Sequence, residues 1–183
     1  MEILRQHQDY SCFDGIKYKL VSKLLLVLLV VISMKKYILE TTTIINKPLS
    51  EVFEFFSKAE NLNKLTPKEV FFKILTPLPI EMKKGTLIDY KIKLNGIPFV
   101  WKTEITEWNP PYKFADNQIV GPYQKWFHEH SFQEINGITH MTDKITYLSK
   151  GWILAPFLHW LFVDKKVKQI FEYRETQLNN IFK

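Results

Sequence analysis

The sequence predicts an α+β domain. It is a curved antiparallel sheet of about seven strands wrapped around a long C-terminal helix, with two short helices after the first strand. Three observations predict this. Helical periodicity is confined to a stretch near residue 50 and to the chain from about residue 153 to its end. Between them, β-rich segments alternate with turn residues at short intervals. Two of those turns are Asn95-Gly96 and Asn136-Gly137, the dipeptide that most strongly marks a two-residue hairpin. Strands joined by such short connections pair antiparallel.

Each element has its own justification. Residues 37–45 carry three consecutive threonines among apolar residues and read as a strand, which Asn46-Lys47-Pro48 ends. Pro48 suits the first turn of a helix, and Leu49, Val52, Phe53 and Phe56 recur at helical spacing, so 48–58 is an amphipathic helix. A second short helix, about 60–65, stops before Thr66-Pro67. Strands are expected over 69–76, 85–94, 97–108, 113–120, 124–135 and 138–149. In the last helix Trp160, Val163, Val167, Ile170, Leu178 and Ile181 form an apolar stripe.

The 183 residues suit one domain plus an appendage, divided as 1–33 and 34–183. In the first segment Lys17, Lys19 and Lys23 precede an apolar run, Leu24 to Ile32, that falls short of the roughly 20 residues a spanning helix needs. It reads as an extension outside the fold, with a short membrane-contacting helix or an export signal as alternatives. Met34 resembles a natural start. A single cysteine, Cys12, rules out an intrachain disulfide and a cysteine-based zinc site. The net charge of +6 comes from lysines spread along the chain and only two arginines, Arg5 and Arg174, which argues against nucleic acid as a partner. No phosphate-binding glycine loop is present, and Ser57, Ser131 and Ser149 lack a nucleophile-elbow context.

The hairpin turns fix which residues share a face. With Asn136-Gly137 as a two-residue loop, Trp126 faces Tyr147, His128 faces Ile145, His130 faces Asp143 and Phe132 faces Met141. The alternate set, Glu129 with Lys144, Ser131 with Thr142 and Gln133 with His140, is polar, contains an opposed ion pair and faces water. In the Asn95-Gly96 hairpin, Ile92 faces Phe99, Tyr90 faces Trp101 and Ile88 faces Thr103 on the inside, while Asp89 faces Lys102 outside. Two histidines and an aspartate therefore stand on an otherwise apolar inner face.

The stretch Phe114-x-Asp116-x-Gln118-x-x-Gly121-Pro122-Tyr123-x-x-Trp126-x-His128-x-His130-x-Phe132 resembles the START-like, Bet v 1-like superfamily. The similarity is to its polyketide cyclase/dehydrase-like and coenzyme Q-binding branch. Asp143 in Thr-Asp-Lys-Ile-Thr-Tyr and Phe171-x-Tyr173-Arg174 also fit, so the resemblance covers about residues 36–183. It implies a helix-grip fold and a cavity for a lipid, quinone or polyketide-like molecule.

The expected cavity residues are Ile88, Tyr90, Ile92, Phe99, Trp101, Phe114, Trp126, Phe132, Met141, Ile145 and Tyr147, with Asp116, Gln118, His128, His130, Asp143 and Arg174 as polar members. Arg174 falls on the helix stripe, where an unpaired charge is costly, so pairing with Asp116, Asp143 or a glutamate is expected. The leading reading is a non-enzymatic binder of a hydrophobic small molecule, with no cofactor and no metal, in the cytoplasm. The rival is a cyclase/dehydrase-type enzyme with His130 as acid–base group, Asp143 as its orienter, and His128 or Gln118 polarising a carbonyl. A third reading is a membrane-associated protein that touches lipid through residues 17–33 and 151–168, where an all-round apolar stretch precedes Lys165, Lys166 and Lys168.

Overall fold

The computed structural model describes residues 36–148 and 164–183, together with residues 19, 21–25 and 27. Strand β1 (Tyr37–Ile45) leads into helix α1 (Leu49–Phe56), two 3₁₀ turns (Ala59–Asn63 and Lys68–Val70) and a short β2 (Lys73–Ile74). There follow β3 (Leu87–Leu94), β4 (Ile97–Asn109), β5 (Lys113–Val120), β6 (Lys125–Ile135), β7 (Ile138–Leu148) and helix α2 (Asp164–Ile181). The sheet order is β1-β7-β6-β5-β4-β3-β2, with every pair antiparallel.

Both Asn-Gly turns take positive φ at each residue, 51° and 82° at Asn95-Gly96 and 53° and 79° at Asn136-Gly137, as the two-residue hairpin requires. Every inner and outer pair expected from them is present in the register. Glu129 and Lys144 lie opposite, but their charges pair sideways instead. Lys144 reaches Glu40 at 3.2 Å and Glu129 reaches Lys113 at 3.3 Å, because the flanking strands β1 and β5 also present opposite charges.

Two expectations need correction. The strand expected over 69–76 shrinks to Lys73–Ile74, because Lys68–Val70 forms a 3₁₀ turn that Phe71 closes in the left-handed region at φ 48°. In α2 the buried stripe is Val167, Phe171, Arg174, Leu178 and the following Phe182, whereas Ile181 is 38% exposed. Spacings of four, three, four and four residues keep those five on one face, and Ile181 falls at its edge. Trp160, Val163 and the stretch 151–163 lie outside the described residues.

The core has two parts. Val52, Phe53 and Phe56 of α1 pack on Phe114, Phe132 and Met141, joined by Leu178 and Phe182. Glu134 of β6 accepts a 2.7 Å hydrogen bond from the Leu49 amide, so a carboxylate caps α1 where Pro48 has no side-chain acceptor to offer. The second part gathers Val70, Ile88, Tyr90, Ile92, Trp101, Ile105, Tyr123, Ile145, Tyr147, Val167 and Phe171. In the extension, residues 19, 21–25 and 27 are helical and exposed. Among the described residues no helix is long and apolar enough to cross a membrane.

Candidate ligand-binding site

Alternation and register bring the polar residues together. On the inner face Asp143 of β7 lies beside His130 of β6 and then Phe114 of β5. In the next inward row Ile145 lies beside His128 and then Asp116. The two aspartates therefore sit diagonally about the two histidines. The β4–β5 register shifts between Lys102 and Thr103 and again between Ile105 and Glu107. Such bulges bend a strand and re-aim its side chains. Between them the Thr103 hydroxyl donates to Asp116 Oδ1 at 2.9 Å.

Asp143 is the hub. Its Oδ1 lies 2.6 Å from His130 Nδ1 and 3.1 Å from His128 Nε2, and its Oδ2 accepts from Arg174 Nη1 at 3.4 Å. The His130 approach is short but off the ring N–H axis, so it is an ion contact rather than a well-directed hydrogen bond. Asp116 Oδ2 stands 3.7 Å from His128 Nδ1 and 3.8 Å from His130 Nε2. Phe114 stacks on His130 with centroids 4.1 Å apart, and the Arg174 guanidinium lies 4.7 Å over the Phe171 ring.

These contacts divide the charge. Burial and the neighbouring imidazole push His128 down to about 4, so it is neutral at neutral pH. Burial also opposes charge on His130, but the carboxylates of Asp143 and Asp116 outweigh it and raise its pKa. Burial alone would raise Asp143; His130, Arg174 and His128 together hold it well below the usual carboxylate range. Asp116 is lowered against its own burial by the two histidines and the Thr103 hydroxyl. Two carboxylates then face the Arg174 guanidinium and a histidine whose protonated form they favour, which offsets the burial of their charge.

Asp116, His128, His130 and Arg174 of the cluster line a cavity of about 180 Å³ between the sheet, α2 and the segment after α1. Of the expected wall, Ile88, Tyr90, Ile92, Trp101, Phe114, Asp116, Trp126, His128, His130 and Arg174 line it. Phe99, Phe132, Met141, Ile145 and Tyr147 pack into the two cores instead, and Asp143 stands behind the histidines. Gln118 is occupied. Its amide donates to the Tyr123 carbonyl at 2.8 Å and accepts from the Tyr123 amide at 3.3 Å. A Cβ at Gly121 would run into that Gln118 amide, which accounts for the glycine in the motif.

No family model matches the chain, and no curated protein does. Solved structures do. The aromatase/cyclase Zhui from a Streptomyces species superposes with a TM-score of 0.65 at 13% identity, over 80% of this chain and 93% of that one. Protein Ms6760 from Mycobacterium smegmatis gives 0.59 at 18%, over 79% and 89%. Major latex-like protein 151 from Panax ginseng gives 0.56 at 11%, over 80% and 97%. The chain has the START-like, Bet v 1-like fold.

The helix-grip architecture also supplies cavity residues that the sequence reading missed. Phe56, Leu65, Val70, Phe72, Val167 and Phe171 all line the cavity. Phe171 was within reach of sequence reasoning, since it stands four residues after Val167 and three before Arg174 on the helix. Phe56 and Val167 stand on the helical stripes already read for α1 and α2, whereas Leu65, Val70 and Phe72 come from the irregular chain after α1, where no period exists to read.

Proposed function

We propose that the chain binds a hydrophobic small molecule in this cavity and carries it without turnover. A lipid, quinone or polyketide-like compound fits the chemistry. The observation that carries the reading is the make-up of its wall: rings and aliphatic side chains over most of it, with a cluster of Thr103, Asp116, His128, His130 and Arg174 among them and Lys58, Asn61 and Thr66 as the other polar members. The size sharpens it. An engineered apolar cavity of about 150 Å³ holds benzene, and drug-sized pockets run from about 300 Å³. About 180 Å³ suits a compact ring system or the ring end of a longer molecule. Among the described residues Trp101 Nε1 and Arg174 Nε have no acceptor, and both residues border the cavity, which favours a ligand bearing oxygen.

Native mass spectrometry and organic extraction of the purified full chain test this, followed by titration with a quinone analogue read by tryptophan fluorescence. Trp101 and Trp126 lie in the wall and should be quenched on binding. Affinities no tighter than about millimolar, or −4 kcal/mol, for all apolar probes would sink the reading. In the same proposal residues 1–33 stand outside the domain. A chain starting at Met34 should melt within about 2 °C of the full chain; a loss of several degrees would put the extension in the core.

A second reading rests on one contact. His130 borders the cavity and has Asp143 at 2.6 Å, the arrangement of an oriented acid–base histidine. As a cyclase/dehydrase-type enzyme, the chain would lose turnover by about 10²–10⁴ in His130→Gln. As a carrier, it would keep ligand affinity within about tenfold in that variant.

A further inference from the structure

We propose that Asp116, His128 and His130 form a binding site for a first-row divalent transition-metal ion, zinc being the reference case, in the wall of the cavity. One ligand atom from each of the three lies within 4.8 Å of the other two. His128 Nδ1 and His130 Nε2 stand 3.7 and 3.8 Å from Asp116 Oδ2. Zinc bonds to nitrogen and oxygen of about 2.0–2.2 Å place tetrahedral ligands about 3.4 Å apart. Bringing the two imidazole–carboxylate distances to that value takes a few tenths of an ångström each, and the two imidazole nitrogens, within 4.8 Å of one another, close by up to about 1.4 Å.

The surroundings favour this arrangement over a chance cluster. A metal-binding histidine characteristically gives its remote ring nitrogen to a carboxylate, which fixes the tautomer and turns the other nitrogen to the metal. Asp143 does this for His128, whose Nε2 it hydrogen-bonds, and stands in ion contact with Nδ1 of His130. Its Oδ1 faces His128 Nε2 at 3.1 Å and His130 Nδ1 at 2.6 Å, leaving His128 Nδ1 and His130 Nε2 toward Asp116. Arg174, 3.4 Å from Asp143 Oδ2, holds that aspartate in the supporting position. The Thr103 hydroxyl occupies Asp116 Oδ1 and leaves Oδ2 for the ion. Two imidazoles and a carboxylate suit zinc, cobalt, nickel or ferrous iron rather than calcium or magnesium.

Asp116, His128 and His130 all line the cavity, so the remaining coordination positions face it. Three protein ligands leave an exchangeable position, which a water or an oxygen of a bound molecule can take. In the sequence the two histidines share a face with Asp143, which makes zinc conceivable there, but the expectation is no metal and does not use Asp116 as a ligand. The set appears only when β5 supplies Asp116 beside two residues of β6. The assignment does not depend on an apolar cargo.

The test uses the full chain, stripped with a chelator and titrated separately with Zn²⁺ and Co²⁺. One ion per chain is expected, with the visible absorption of four- or five-coordinate Co²⁺. Asp143→Asn should weaken binding about 10–100-fold, and Asp116→Asn or His128→Gln further still. His140→Ala, on the outer face, should change nothing. Absent stoichiometric binding in the unaltered chain, equal binding in the Asp116→Asn variant, or loss in His140→Ala would overturn the proposal. Should the ligand variants fail to fold by circular dichroism, the Co²⁺ spectrum of the unaltered chain decides, and six-coordinate intensity overturns it. Apolar-probe binding is measured on the same stripped protein, so failure there touches only the carrier reading.

Discussion

The hairpins β3–β4 and β6–β7 are built alike and do different things. Each turns through Asn-Gly with two positive φ values, and each puts its inner pairs under a layer of helix and loop. The inner face of β3–β4 is almost wholly apolar, with Tyr90 stacked on Trp101 at 5.7 Å. The inner face of β6–β7 carries two histidines and an aspartate, all buried. Local geometry therefore fixes which residues turn inward but not how they are tolerated there. The apolar hairpin needs only close packing. The polar one depends on charges delivered from elsewhere, Asp116 by β5 and Arg174 by α2. Stability should respond differently in the two places, and the experiments below use that difference.

The largest effect is expected at Asp143. Asp143→Ala leaves Arg174 without its ion-pair partner and His130 with only the more distant Asp116, at a cost of about 3–5 kcal/mol in urea unfolding. Replacing both Asp143 and Arg174 by leucine should cost clearly less than the two single losses added together, since no orphaned charge remains. Additivity would mean the pair is not coupled. The polar hairpin should also impose a pH dependence. Unfolded His128 takes a proton near 6.5 but folded His128 only near 4, so stability falls as pH drops through that window. Folded His130 holds its proton more tightly than the unfolded chain, so its contribution is complete below about 6.5 and is lost as pH rises through its raised value. The melting temperature should peak between these limbs. In His128→Gln the acid limb between 6.5 and 4 should flatten, while the later carboxylate limb stays. An unchanged profile would put the charge balance elsewhere.

In the apolar hairpin the probe is tryptophan. Trp101 is buried between Tyr90, Tyr123 and Trp126. Trp101→Ala should cost about 3–5 kcal/mol with little dependence on pH. Trp126, from the other hairpin, is only half-buried and borders the cavity, so Trp126→Ala should cost about 1–3 kcal/mol. Adding an apolar ligand should narrow the gap between the two variants if the cavity is where it binds. The reverse order of costs would mean Trp126 is the core ring.

Much of the fold was legible in the sequence, for a physical reason. A two-residue loop sets register, and register with period-two alternation sets the faces. That carried Trp126, His128, His130, Phe132 and Asp143 to the inner face before any coordinates. What the sequence did not yield depends on contacts outside that periodicity. Thr103 meets Asp116 between two shifts of the β4–β5 register, and nothing in the residue pattern announces a bulge there. Gln118 looked like a ligand contact from its strand position, yet its amide is spent on the Tyr123 backbone five residues on. Phe132 and Met141 face inward as expected but under α1, which covers them and leaves the cavity to their neighbours. The alternation distinguishes inside from outside; it does not distinguish core from cavity.

The outer faces give the smallest and most exacting test. Asp89 and Lys102 lie opposite in β3–β4 and pair at 3.4 Å. Glu129 and Lys144 lie opposite in β6–β7 in the same way but pair with Lys113 and Glu40 on the flanking strands. Each single alanine should cost about 0–1 kcal/mol, because exposed pairs are largely solvated. The difference between the hairpins should appear only in double-mutant cycles. Asp89 with Lys102 should couple by a few tenths of a kcal/mol, and so should Lys144 with Glu40 and Glu129 with Lys113. Glu129 with Lys144 should show none. Lys113 also holds Glu107 at 2.9 Å, so its cycle should be the largest of the set and should shrink most in about 1 M salt, where screening reaches across one contact. Coupling between Glu129 and Lys144 that exceeds both sideways pairs would show that these side chains answer to the strand opposite rather than to the strands beside them.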